Sequence, residues 1–133
     1  MKILWILILG VLIHAEQYAV VISKKCTIDT KIDLQNIYLK KQRNINSCHI
    51  VPLNLNAQNS IRQYFMQAVL QIDDTHWNRY WDKMHFKGIK APHIVLSDRS
   101  MSAYIVNVPG SIGYIPKTLV TQEMTIISYF ERN

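Results

Sequence analysis

Short runs of Val, Ile and aromatic residues recur along this chain, separated by segments whose apolar residues fall three and four positions apart. A brief continuous apolar run suits a strand buried on both faces, whereas three-and-four spacing gathers apolar side chains onto one face of a helix. Strands alternating with helices constrain the fold more than any other feature of the sequence, because crossover helices must cover both sides of the sheet they connect. Residues 19–23, 49–55, 94–96, 111–115 and 125–130 read as strands. The expected fold class is α/β, with a mostly parallel, roughly five-stranded sheet and helices on both faces.

The helical segments carry their own punctuation. Asp33 is placed to cap a short helix over 34–40, in which Leu34, Ile37 and Tyr38 share a face. Ile61, Tyr64, Phe65, Ala68 and Val69 mark a second helix. A third begins near Asp74, with Trp77, Tyr80, Trp81 and Met84 on one stripe. That stripe has the spacing of a packed helix face and reads as core, not as a ligand platform. Asp98 can cap a fourth helix with Met101, Tyr104, Ile105 and Val108 inward, and Pro109 and Gly110 stop it. Pro52 lacks the N–H that a ladder uses, so it favours an edge strand or a bulge.

The N-terminus has a different character. Lys2, the apolar stretch 3–13 and Ala15 ahead of Glu16 match a secretory signal peptide over residues 1–15. The stretch is too short to cross a bilayer as a helix, which takes about twenty residues. The chain is expected to reach the periplasm as one mature domain, residues 16–133, with no membrane span after cleavage. Two cysteines in an exported protein invite a disulfide. Cys26 follows the first strand, however, and Cys48 precedes the second. If those strands are parallel neighbours the two lie at opposite sheet edges, beyond the roughly 7 Å between Cα atoms that a bridge allows. The expectation is that they do not pair.

The net charge is +6, with Lys and Arg scattered along the chain. No cationic run is interleaved with aromatics, which argues against a nucleic-acid partner. His49, His76, His85 and His93 show no metal-ligand spacing on a single helix, and His76 and His85, flanking the aromatic helix, read as surface residues; no cysteine pair has zinc spacing. There is no nucleophile elbow and no glycine-rich phosphate loop, and Asp73 and Asp74 sit where a helix start favours acids. The residues propose neither an enzyme nor a cofactor. One loop invites chemistry. Residues 54–60 follow a strand and lead into a helix, and α/β sheets take ligands at that carboxyl edge. Unpaired N–H groups at a helix start favour anions. Asn56, Asn59 and Ser60 add side-chain donors, and Arg62 can add a planar cationic fork. A plain helix cap by Asn59 or Ser60, with Arg62 in solvent, accounts for the same residues.

Three stretches resemble the phosphate-specific periplasmic binding proteins of phosphate import systems, a type-II periplasmic binding fold, and in particular their second lobe. Tyr18 to Leu39 is similar to the family's valine-rich strand, loop and Leu-x-x-Ile-Tyr helix. Val51 to Phe65 matches its strand, ligand loop and helix aromatic. Val108-Pro109-Gly110-Ser111-Ile112-Gly113-Tyr114 is close to its Pro-Gly-Ser/Ala-Ile-Gly-Tyr signature. The chain is also similar to short, single-lobe exported proteins of that kind. The resemblance implies one lobe of a substrate-binding protein of a phosphate ABC transporter, taking phosphate or a similar oxyanion without catalysis. The family's Ser-Gly-Thr loop is replaced here by Asn56-Ala57-Gln58-Asn59-Ser60-Ile61-Arg62, and the chain has residues for one lobe only. A single open face leaves an anion hydrated and each contact weak. The alternative is an exported interaction, adaptor or regulatory module, with a protein partner or a homodimer, that keeps the fold without the ligand.

Overall fold

The computed structural model describes residues 15–28 and 31–132. The expected signal peptide lies outside the described residues apart from Ala15. No helix among the described residues is long and apolar enough to cross a membrane.

The apolar runs form the expected five-stranded sheet. β1 (Glu16–Ser23) is followed by α1 (Leu34–Tyr38), then by a small hairpin of β2 (Asn44–Ile45) and β3 (Cys48–His49), and then by β4 (Val51–Leu55). α2 (Ser60–Phe65) runs on into a π-helical turn (Met66–Leu70), and α3 (Asp74–Phe86) leads to β5 (His93–Val95). α4 (Asp98–Asn107), β6 (Ser111–Pro116) and β7 (Met124–Arg132) complete the chain. The order across the sheet is β5-β4-β6-β1-β7. Parallel pairing joins β5, β4 and β6, while β1 runs antiparallel to both β6 and β7, so the sheet is mixed.

Helices cover both faces, and the strand alternation decides which residues meet them. Tyr114 in β6 faces α2, where its ring stacks on Phe65 with centroids 4.0 Å apart. Tyr38 of α1 lies on the same side, and its hydroxyl donates to the Leu53 carbonyl at 2.7 Å. Gly113 turns to the opposite face, under α4, where a Cβ would overlap the Met101 sulfur and crowd Ile105. The glycine therefore seats α4 close against the sheet. Gly110 has φ +79°, and a Cβ there would collide with the His49 carbonyl, so both halves of the Pro-Gly-Ser-Ile-Gly-Tyr segment are fixed by space.

The mixed sheet overturns the cysteine expectation: Cys26 and Cys48 form a disulfide, with Cα atoms 6.0 Å apart. β1 is antiparallel to β6, and β6 is parallel to β4, so β1 ends at the edge where β4 begins. The premise of parallel neighbours was the error. Pro52 is corrected as well, since β4 lies inside the sheet. Its proline is tolerated because β5 pairs with β4 only from Leu53 onward, leaving Pro52 opposite Ile112 of β6 alone.

The aromatic stripe of α3 packs as expected. Trp77 and Trp81 are buried, with ring centroids 5.7 Å apart, and Tyr80 donates its hydroxyl to the Leu39 carbonyl. The four histidines named above are all exposed, and no group of acids, histidines and cysteines among the described residues could hold a metal ion.

Candidate functional site

β4 delivers its last residue, Leu55, to the edge where the parallel strands end, and the chain turns there into α2. The Asn59 side chain accepts the Ile61 N–H at 2.9 Å and so caps the helix, while the Asn59 N–H donates to the Asn56 carbonyl at 3.0 Å. Ser60 is the first helical residue and is exposed; Asn56 and Asn59 are half-buried. The structure brings these three residues together around one turn. Arg62 does not join them. It is 9% exposed, donates to the Leu55 carbonyl at 2.9 Å, and lies 5.9 Å from the centre of the Trp77 ring. The sequence leads Arg62 to be expected to offer its guanidinium to an anion, with a place in solvent as the alternative; instead the guanidinium is bonded to the end of β4 and packs α2 against α3.

A buried polar network supports the loop from below. Tyr114 donates its hydroxyl to the Asn54 side-chain oxygen in a short hydrogen bond and accepts the Leu55 N–H at 3.1 Å. Burial pushes the Tyr114 phenol well above its ordinary range, while the Leu55 N–H and the Arg62 charge pull it down and Asp98 pushes it further up. Asn54 also directs its amide nitrogen toward the Met66 sulfur at 3.8 Å. Every polar atom of this network therefore has a partner, as burial demands.

Sequence reasoning missed the second half of this edge. α4 also begins there, after β5, and its cap is Ser97, whose hydroxyl accepts the Ser100 N–H at 3.1 Å. Asp98, expected as the cap, is instead the first helical residue and half-buried. Burial raises its pKa, and Glu16 at the start of β1 raises it further. Tyr18 feels the same acids: its pKa is pushed up to about 12, by burial first and then by Glu16 and Asp98. Only the strand order could reveal this, since Glu16 and Asp98 are far apart in sequence and β1 is antiparallel.

The edge thus presents two helix starts side by side, one flanked by amides and a hydroxyl, the other by carboxylates. What it can do is orient a small polar anion with N–H and O–H donors, and disfavour an anion that carries no proton.

No family model matches the chain, and no curated protein does either. Solved structures do. An ABC-type phosphate transport receptor from Vibrio cholerae superposes with a TM-score of 0.64 at 17% identity, over 86% of this chain and 46% of the receptor. A Clostridium perfringens protein assigned as a phosphate ABC transporter substrate-binding protein, with phosphate bound, gives 0.66 at 16% identity, over 86% of this chain and 45% of its own. This chain spans less than half the length of either. Its fold is that of one lobe of these phosphate-binding proteins.

Proposed function

We propose that this chain is an exported, non-enzymatic binding module that takes phosphate or a similar oxyanion at the carboxyl edge of its sheet. The observation that carries the reading is the likeness of its fold to a lobe of two proteins described as phosphate transport components, one of them with phosphate bound. Asn56, Asn59, Ser60 and the N–H groups at the start of α2, apart from that of Ile61 which Asn59 already accepts, are the donors. Arg62 acts from beneath, holding Leu55 and lending a positive field, because its guanidinium is already bonded to the protein. Asp98 and Glu16 across the edge favour an oxyanion that retains a proton, which can donate to a carboxylate, over one that cannot.

On an isolated lobe an anion stays partly hydrated, so binding by this domain alone is weak, on the order of millimolar, or about 4 kcal/mol. Titration of the mature domain with phosphate and with sulfate, followed residue by residue by nuclear magnetic resonance, tests the reading. The expected result is shifts clustered at Asn56 to Arg62 and at Asp98, larger for phosphate, and reduced in Ser60→Ala. Absence of localised shifts at roughly 50 mM anion, more than tenfold above that affinity, overturns it.

A further inference from the structure

The opposite edge of the sheet, where β4 and β5 begin, holds a cleft of about 390 Å³. That volume lies within the range of small-molecule sites, roughly 300–1,000 Å³. Its charged lining is all of one kind: Lys40, Arg43 and Lys90, joined by the imidazoles of His49 and His93, with no Asp or Glu. Among the described residues no carboxylate pairs with any of these cations. Arg43 is held in place by donating one N–H to the Lys40 carbonyl at 3.4 Å, which leaves the rest of its fork for a ligand. Burial lowers the Lys40 pKa first, and the nearby charges of Arg43 and Lys90 lower it further.

The cleft is also built, and not merely a gathering of surface charge. Ile50, Pro52, Ile89 and Ala91 supply an apolar floor between the cations. The β2–β3 hairpin forms one wall, anchored by the Cys26–Cys48 disulfide and by the Asn46 side chain donating to the Thr27 carbonyl at 3.0 Å. Lys40 itself adopts φ +55°, a left-handed conformation that glycine or asparagine fills more comfortably after a helix. A lysine there accepts a backbone cost and places a cation in the cleft.

We propose that this cleft binds the phosphate group of an organic phosphomonoester, with Lys40, Arg43 and Lys90 around the phosphate and the apolar body of the ligand on Ile50, Pro52 and Ile89. The site is independent of the oxyanion loop, from which it is separated by the length of β4, roughly 15 Å. The concentration of cations supplies charge-assisted contacts that the loop lacks, and the floor explains a preference for a phosphate attached to an apolar group over the free ion.

Phenyl phosphate and inorganic phosphate are the probes, titrated into the disulfide-bonded domain with amide and imidazole resonances followed. Phenyl phosphate should shift Lys40, Arg43, His49, Lys90 and His93, and should bind about tenfold more tightly there than inorganic phosphate. Lys40→Gly should weaken phenyl phosphate about tenfold, the equivalent of one charge-assisted contact. The same variant should melt no lower than the parent, because glycine suits the left-handed position. Lys90→Ala should weaken binding similarly while leaving shifts at Asn56 to Arg62 untouched. Pelleting with phosphatidylcholine vesicles that contain phosphatidic acid, and not with phosphatidylcholine alone, would identify the phosphomonoester as a lipid headgroup; binding of phenyl phosphate without pelleting would identify it as a soluble one. Shifts that fall elsewhere, equal affinity for the two probes, or an unchanged affinity in Lys40→Gly would each overturn the proposal.

Discussion

At the edge where β4 and β5 end, the chain offers backbone N–H groups, amides and a hydroxyl, and its nearest guanidinium is already bonded to Leu55. At the edge where they begin, it offers lysines and an arginine with no carboxylate among them. The carboxyl edge also carries Asp98 and Glu16, so on the proposed reading any attraction for anions there rests on oriented dipoles working against nearby acids. The amino edge works by net charge over an apolar floor. Dipolar donors act at contact distance, whereas exposed charges act further out and are screened by salt. The comparison teaches that the scattered basic residues of this sequence are not evenly scattered in space: several converge where the fold places no acid.

One helix joins the two edges. α3 puts Trp77 against Arg62 near the carboxyl edge, and the turn after it supplies Gly88 and Lys90 to the cleft at the other. Trp81 lies between, buried, its indole N–H without an acceptor among the described residues. Trp81→Ala should therefore damage both edges together and have the largest effect, about 3–5 kcal/mol, the usual cost of deleting a large buried aromatic. Trp81→Phe should cost much less, because it keeps the ring and removes a donor that has no partner. Chemical denaturation of the two variants checks this. A Trp81→Ala protein as stable as the parent would separate the edges and show the stripe to be dispensable.

The disulfide belongs to the amino edge alone. Replacing both Cys26 and Cys48 by serine should cost about 3 kcal/mol, the loop-closure value for a separation of 22 residues. Phenyl phosphate binding should weaken as the β2–β3 wall loosens, while phosphate-induced shifts at Asn56 to Arg62 persist in whatever fraction stays folded. Loss of both sets of shifts together, in protein shown to be folded, would break the separation between the edges.

Arg62 gives the matching test at the carboxyl edge, with a smaller cost. Arg62→Ala removes a buried charged donor and strands the Leu55 carbonyl, which should destabilise by about 1.5–3 kcal/mol. Arg62→Met keeps the stem against Trp77 and should recover part of that, though not the hydrogen bond. Thermal melts resolve the pair. If Arg62→Ala melts like the parent, the guanidinium is free to bind an anion directly, and the difference between the two edges narrows.

Much of this architecture is legible in the residues because it depends on local period. Val20 to Ile22, Ser111 to Ile115 and the stripe of α3 declare strand or helix without reference to anything distant. Asp33 caps α1 as its position suggests, accepting the Asn36 N–H at 3.1 Å. What fails to show is direction and pairing across the sheet. Nothing near Ala19 says that β1 runs against β6, and from that one reversal follow the disulfide, the approach of Glu16 to Asp98, and the edge on which each loop lies. Arg62 fails for a related reason. Its place beside Ile61 on the helix suggests solvent, but the partner that buries it, Trp77, comes from another helix. The cationic cleft was invisible for the same cause, since Lys40, Arg43 and Lys90 meet only once the hairpin and the turn after α3 are placed.

The smallest effect concerns Asp98, and it sharpens the comparison from the side of the acids. Its folded-state pKa is raised, by burial first and Glu16 second. A raised pKa means that the folded chain holds the proton more tightly than the unfolded one. The associated stability is present below the ordinary carboxylate range and is lost as pH rises through the folded-state pKa. The start of α4 offers some compensation to the ionised form through its N–H groups, yet the net shift is upward, so burial and Glu16 outweigh it. Asp98→Asn should then melt slightly higher than the parent near neutral pH, and the two should converge in acid. The gain stays small because the carboxylate is partly exposed and screened. On the proposed reading the same substitution also removes a carboxylate that disfavours an unprotonated anion, so sulfate should gain on phosphate in the titration. A variant that melts lower at neutral pH, or that leaves the sulfate-to-phosphate ratio unmoved, would show that Asp98 serves α4 as an N-terminal charge and takes no part in selecting the anion.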